Sequence, residues 1–288
     1  MAAPVDIATV RQVLGTDART GADAARSPWE LAAERLGPGS FDLVASLLTD
    51  AELGYDAANT LLVLDRDRGL AAVLLAAPKA DRNVQHVGFF EVERRTFESG
   101  VVPLRAEAHA AALGVMALPD PHADALEEAL RVAGASGSAA DVPLLLPFLA
   151  WTHPVPTWQD RVRHAALGAL ARDGHAAAIE EIRTALTSAA ADLEPDLARA
   201  RAIDAYVVDA ERSASPALAP ALCALLAYPV PAPVGHALPP SVGSSAASAL
   251  AACVPPGPGV PPRPAPGDLG AALSPDLAAW TAWCAGRR

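Results

Sequence analysis

The chain has 288 residues and a mass of 29.4 kDa, enough for one large domain or two small ones around a substantial core. Its 22 Lys and Arg stand against 33 Asp and Glu, a formal net charge of -11. That balance argues against a protein that tracks nucleic-acid phosphates or an anionic membrane. Hydrophobic residues make up 52%, but 68 residues are Ala, so the apolar content is largely small side chains that let helices approach closely. The expected class is all-α.

The opening residues, Met1 to Asp6, lack the basic and apolar regions of a secretory signal, and the expected location is cytoplasmic. Twenty-one Arg to one Lys (Lys79), with abundant Ala, Gly and Pro, suits a GC-rich bacterial genome. Ser27-Pro28-Trp29-Glu30 is a capping box with Pro at the first helical position. Leu31, Ala32, Ala33 and Leu36 follow, then a Gly37-Pro38-Gly39 stop, which predicts a helix over 28–36. Ser40 opens a second helix with Leu43, Val44, Leu47 and Leu48 at helical spacing, closed by Asp50 to Gly54.

From there a register recurs. Residues 57–65 read AANTLLVLD, 111–118 read AALGVMAL and 165–173 read AALGALARD, with looser copies at 202–207 and 246–251. Spacings of 37 to 54 residues describe stacked helix pairs better than a propeller or a parallel sheet. Ala pairs on one face let a helix sit close to its neighbour, while Leu and Val three and four residues on fill the groove between pairs.

The stretch 141–186 carries the most specific pattern. Asp141 to Ala150 is an apolar helix with Pro143 and Pro147, followed by a loop, then Val162-Arg163 opening a second helix with Ala165, Ala166 and Leu167. This resembles a HEAT repeat of the armadillo-type helical-repeat superfamily. The second copy has Ala108-His109 and the first Gly54-Tyr55 where this one has Val-Arg, so the signature occurs once. The resemblance implies a right-handed α-solenoid of HEAT-like antiparallel helix pairs. The expected organisation is N-terminal helices over 1–39, the repeat array over 40–253, a Pro/Gly-rich linker over 254–273 and a C-terminal capping helix over 274–288.

An insert from Pro78 to Pro103 interrupts the register and holds Phe89, Phe90 and Phe97, three of the five Phe. A short hairpin and a single helical turn fit its partial alternation about equally. The corresponding loop of the next repeat carries Trp151, His153 and Trp158. In a stacked array equivalent loops share an edge, so these aromatics read either as an exposed anchor for a partner or as a cap over the core. Pro261-Pro262-Arg263-Pro264 with Pro266 reads as linker rather than as a ligand for an aromatic groove. Trp280 and Trp283 share a face of the last helix and suit docking onto the final repeat.

Catalytic patterns are not evident. The seven His are His86, His109, His122, His153, His164, His175 and His236. None precedes Glu, whereas HEAT-repeat iron hydroxylases place metal on His-Glu dipeptides, so surface histidines are expected. The chain has no phosphate-binding glycine loop and no nucleophile elbow. Cys223, Cys253 and Cys284, spaced by 30 and 31, read as buried structural thiols. No metal or other cofactor is expected. Arg105, Arg161, Arg163, Arg199 and Arg201 lie at starts of second helices. Such a ridge resembles that of the helical-repeat DNA glycosylases, but Glu107, Asp160 and Asp196 dilute it and nucleic acid is the less favoured partner. The expected function is non-catalytic: a scaffold or adaptor binding a protein or peptide through the concave face or the aromatic loop edge. Its partner-binding candidates are Phe89, Phe90, Phe97, Trp151, His153, Trp158, Arg105, Arg161, Arg163 and Arg199.

Overall fold

The computed structural model describes residues 5–20, 26–194, 196–229, 241–263 and 276–287. Among the described residues the chain is all-α, with fifteen α-helices, short 3-10 turns and no strand. They are α1 (Ile7–Thr20), α2 (Pro28–Leu36), α3 (Phe41–Ala45), α4 (Gly54–Leu64), α5 (Arg66–Ala76), α6 (Arg82–Ser99), α7 (Arg105–Met116) and α8 (Ala123–Ser136). There follow α9 (Val142–Leu145), α10 (Pro156–Arg172), α11 (Ala176–Ala190), α12 (Leu197–Ser213), α13 (Ala219–Leu225), α14 (Val242–Cys253) and α15 (Leu277–Ala285). No helix among the described residues is long and apolar enough to cross a membrane. The chain divides into two compact units, Met1–Thr96 with Val101–Val132, and Phe97–Gly100 with Ala133–Arg288.

In the first unit α2 begins as its sequence dictates. Ser27 Oγ accepts from the Glu30 amide at 3.2 Å, and Glu30 Oε2 accepts from the Ser27 amide at 2.7 Å. Gly37 then ends the helix at φ 67°, a backbone conformation that costs glycine little. The second predicted helix is shorter than its spacing suggests. Only Phe41–Ala45 is α-helical, and turns carry the chain from there to α4. Asp65 separates α4 from α5 and caps the latter, its carboxylate accepting from the Arg68 amide at 3.0 Å. A core including Val10, Leu14, Phe41, Val44 and Leu61 binds the first four helices together.

The insert from Pro78 to Pro103 is neither a hairpin nor a single turn. It contains the eighteen-residue helix α6. Val84, Val87, Gly88, Glu91 and Val92 recur at helical spacing and are buried, a period that the alternation within 87–97 disguised. Glu91 anchors a charge cluster, accepting from Arg66 at 3.1 Å, Arg94 at 2.7 Å and Arg95 at 2.9 Å.

In the second unit the helices fall into two rows. Helices α10, α12 and α14 pack successively, α11 packs on α13 and α13 on α15, and members of the two rows contact each other across α10–α11, α11–α12, α13–α14 and α14–α15. Side by side, this is a stacked helical arrangement. The recurrent Ala pairs lie on its contact faces: Ala165, Ala166, Ala246 and Ala247 are buried, as are Ala57, Ala58, Ala111 and Ala112 in the first unit. The copy on α12 departs from the register, with Ala202 exposed and Ile203 and Val207 buried instead. The stretch 141–150 is not one helix. Pro143 and Pro147, which lack a backbone N–H, fit its breakup into two short 3-10 segments around the one-turn α9.

The last helix, α15, starts from Asp276, whose carboxylate accepts from the Ala279 amide at 2.8 Å, and it buries Trp280 and Cys284. Two of the three cysteines are not free thiols. Cys223 and Cys284 form a disulfide, because α13 and α15 bring their Cα atoms to 5.7 Å. Only Cys253 is free and buried. Arg263 donates to the Val254 carbonyl at 2.7 Å, turning 254–263 back on itself. Residues 230–240 and 264–275 lie outside the described residues, and with them half of the expected linker, Pro264 and Pro266 of the groove-ligand motif, and His236.

Candidate functional site

The sequence candidates are distributed over both units. On α6, Phe89 is fully buried and belongs to the interior, whereas its neighbour Phe90 is 54% exposed. The Phe90 ring lies 5.8 Å from that of His86, one helical turn earlier. Phe97, near the end of α6, is partly exposed, and Arg105 opens α7.

In the second unit, Trp151, His153 and Trp158 surround the start of α10. The Trp151 and His153 rings stack with centroids 5.3 Å apart, and His153 Nδ1 accepts from the Val155 amide at 3.1 Å, which fixes the loop. One turn into α10, the Arg161 guanidinium lies 4.4 Å from the centroid of the Trp158 ring. Both Trp are half-buried, while Leu144, Leu146 and Val155 are exposed. The segment 144–158 therefore displays aliphatic side chains beside two aromatics held by local contacts. Pro147, Pro154 and Pro156 limit the backbone freedom of the same segment.

The arginines are largely engaged. Arg163 pairs with Glu181 of α11, and this bond holds its guanidinium above its ordinary value. Arg199 pairs with Asp192, which the same bond holds below the ordinary carboxylate range. Both cations are thus already opposed by a carboxylate.

Two histidine–carboxylate pairs escaped the sequence analysis. His164 Nδ1 on α10 lies 2.5 Å from Asp209 Oδ2 on α12, and the Asp209 side chain is fully buried. The Tyr206 ring meets His164 edge-on at 4.8 Å. In the first unit, His86 Nδ1 on α6 lies 2.6 Å from Glu128 Oε1 on α8. Burial pushes both carboxyl groups above their ordinary range, and the histidine hydrogen bond opposes the shift. Each pair bridges helix n to helix n+2 over 45 or 42 residues, a recurrence that fits cross-bracing between alternate helices. His164 is therefore only partly a surface residue: its ring is 21% exposed and supports a buried anion. A signal did exist, a His followed 42 to 45 residues later by an acid, but it is legible only once the helix spacing is known.

Among the described residues no group of three or more His, Cys, Asp or Glu is arranged to hold a metal ion. No family model, no curated protein and no solved structure matches the chain.

Proposed function

We propose that the chain is a HEAT-like, right-handed α-solenoid serving as a non-catalytic scaffold or adaptor, and that it binds a protein or peptide through the surface of residues 144–158. The observation that carries the reading is the exposure of Leu144, Leu146 and Val155 beside Trp151 and Trp158. Grouped apolar side chains with half-buried aromatics are the composition of interface anchors, and local stacking reduces the entropy lost on binding. The repeat half of the proposal is supported by the two helix rows of the second unit and by Ala pairs on successive contact faces.

The test is affinity purification of the intact protein from its own cell extract at low and moderate salt, in parallel with a Leu144→Glu, Val155→Glu variant matched in circular dichroism and melting. A protein recovered in stoichiometric amount at both salts by the parent, and lost from the variant, is the expected result. Identical recoveries from both chains, or nucleic acid that dissociates at moderate salt as the sole partner, would overturn the proposal.

A further inference from the structure

The Cys223–Cys284 disulfide does not lie in closed core. It lines a cavity of about 770 Å³ together with Ala190, Pro216, Ala219, Pro220, Trp283 and Arg287. Pockets of roughly 300–1,000 Å³ are the size that accommodates small organic molecules. Among the described residues that line it, most are small or ring-constrained; the bulky ones are Trp283 and Arg287, whose guanidinium covers the indole at 4.2 Å from the ring centroid.

We propose that this disulfide is a thiol-exchange site: a low-molecular-weight thiol of the glutathione class enters the cavity, attacks the Cys223 sulfur and frees α15 from its covalent tie to α13.

The two cysteines differ in access. Cys223 is partly exposed and Cys284 is 4% exposed, so the incoming thiolate meets Cys223 first and Cys284 is the leaving group. Arg287 lies three residues beyond Cys284 and lines the same cavity. Its charge attracts an anionic thiol and stabilises the departing thiolate, offsetting the negative end of the α15 dipole. In the first step the thiolate forms a bond to the Cys223 sulfur, the Cys223–Cys284 bond breaks, and the Cys284 thiolate takes a proton from solvent. In the second, another thiolate attacks the bound thiol's sulfur and releases the Cys223 thiolate, leaving a small-molecule disulfide. Two thiols supply the two electrons that reduce the protein disulfide.

The third cysteine does not compete. Cys253 is buried, its Sγ lies 3.2 Å from the Ala210 carbonyl, and burial pushes its thiol up to about 12. Exchange therefore removes the covalent tie and leaves α15, with its buried Trp280, packed on α13 and α14.

The experiment follows reduction of the full chain over a series of glutathione concentrations, quenching with an alkylating agent and mapping the products by mass spectrometry. The unfolding rate is measured separately from tryptophan fluorescence. The expected result is a rate that rises linearly with glutathione past the unfolding rate, an intermediate carrying one glutathione on Cys223, and several-fold slower exchange in Arg287→Ala at unchanged melting temperature. A rate that levels off at the unfolding rate would mean that the sulfurs are reached only through unfolding and would overturn the proposal. An adduct on Cys284 overturns the assignment of the attacked sulfur, and an unaltered rate in Arg287→Ala overturns the role given to that residue.

Discussion

His164 and Asp209 meet at 2.5 Å across the α10–α12 contact, and the carboxylate of the pair has no exposure to solvent. The partnership is asymmetric, because the histidine retains a path to water and the aspartate does not. His164→Ala therefore strands a buried acid. We expect a loss of about 3–5 kcal/mol in urea-determined stability at neutral pH, with a smaller loss in the His164→Ala, Asp209→Asn double variant.

The same acid sets a pH dependence. Burial raises the Asp209 carboxyl above its unfolded value, so the native state holds this proton more tightly. The stability it contributes is fully present below the unfolded value near 3.8 and is lost as the pH rises through the folded value. Asp209→Asn should flatten the decline of stability on the alkaline side of pH 4. Denaturant titrations at closely spaced pH values check this, and a decline as steep in the variant would exclude Asp209 as its source.

Close approach of Gly134 and Ala169, both in the second unit, gives a third expectation. A Cβ at Gly134 would stand 2.6 Å from the Ala169 Cβ and 2.7 Å from its Cα, and backbone cannot swing aside. Ala in place of Gly favours a helix by up to about 1 kcal/mol, but overpacking of this kind costs about 1–3 kcal/mol. Gly134→Ala should therefore be net destabilising by about 1–2 kcal/mol in thermal or urea unfolding.

Phe89 and Phe90 are adjacent in sequence and opposite in consequence. Phe89→Ala empties a fully buried site and should cost about 3–5 kcal/mol, so any loss of binding it produces reports folding. Phe90→Ala removes a ring that is mostly in water and should change stability by no more than about 0.5 kcal/mol. Melting curves of the two variants separate the cases.

How much of this was legible in the sequence varied with the range of the interaction. The capping box at Ser27 and the stop at Gly37 are local, and α2 spans the residues they delimit. The Ala-Ala register fell on contact faces of α4, α7, α10 and α14, because close packing needs small side chains at a helical repeat whatever the partner is; the looser copy on α12 did not, its Ala202 being exposed. In α6 the charged residues concealed the period: Glu91 occupies an interior position, which is tolerated because three arginines converge on it. The disulfide and the histidine pairs were not legible, since each joins residues 42 to 61 apart whose proximity exists only after the helices have packed.

The row arrangement of the second unit also governs the order in which that unit can assemble. Helices α10, α12 and α14 each find their partners one or two helices along the chain, so assembly needs little long-distance chain search, the condition under which domains fold quickly. The Cys223–Cys284 bond spans 61 residues, a longer loop than the 45 residues between His164 and Asp209. Once α13 and α15 lie together, packing holds the two cysteines with Cα atoms 5.7 Å apart, so the stacked state favours closure of the bond and the closed bond in turn ties this end of the unit.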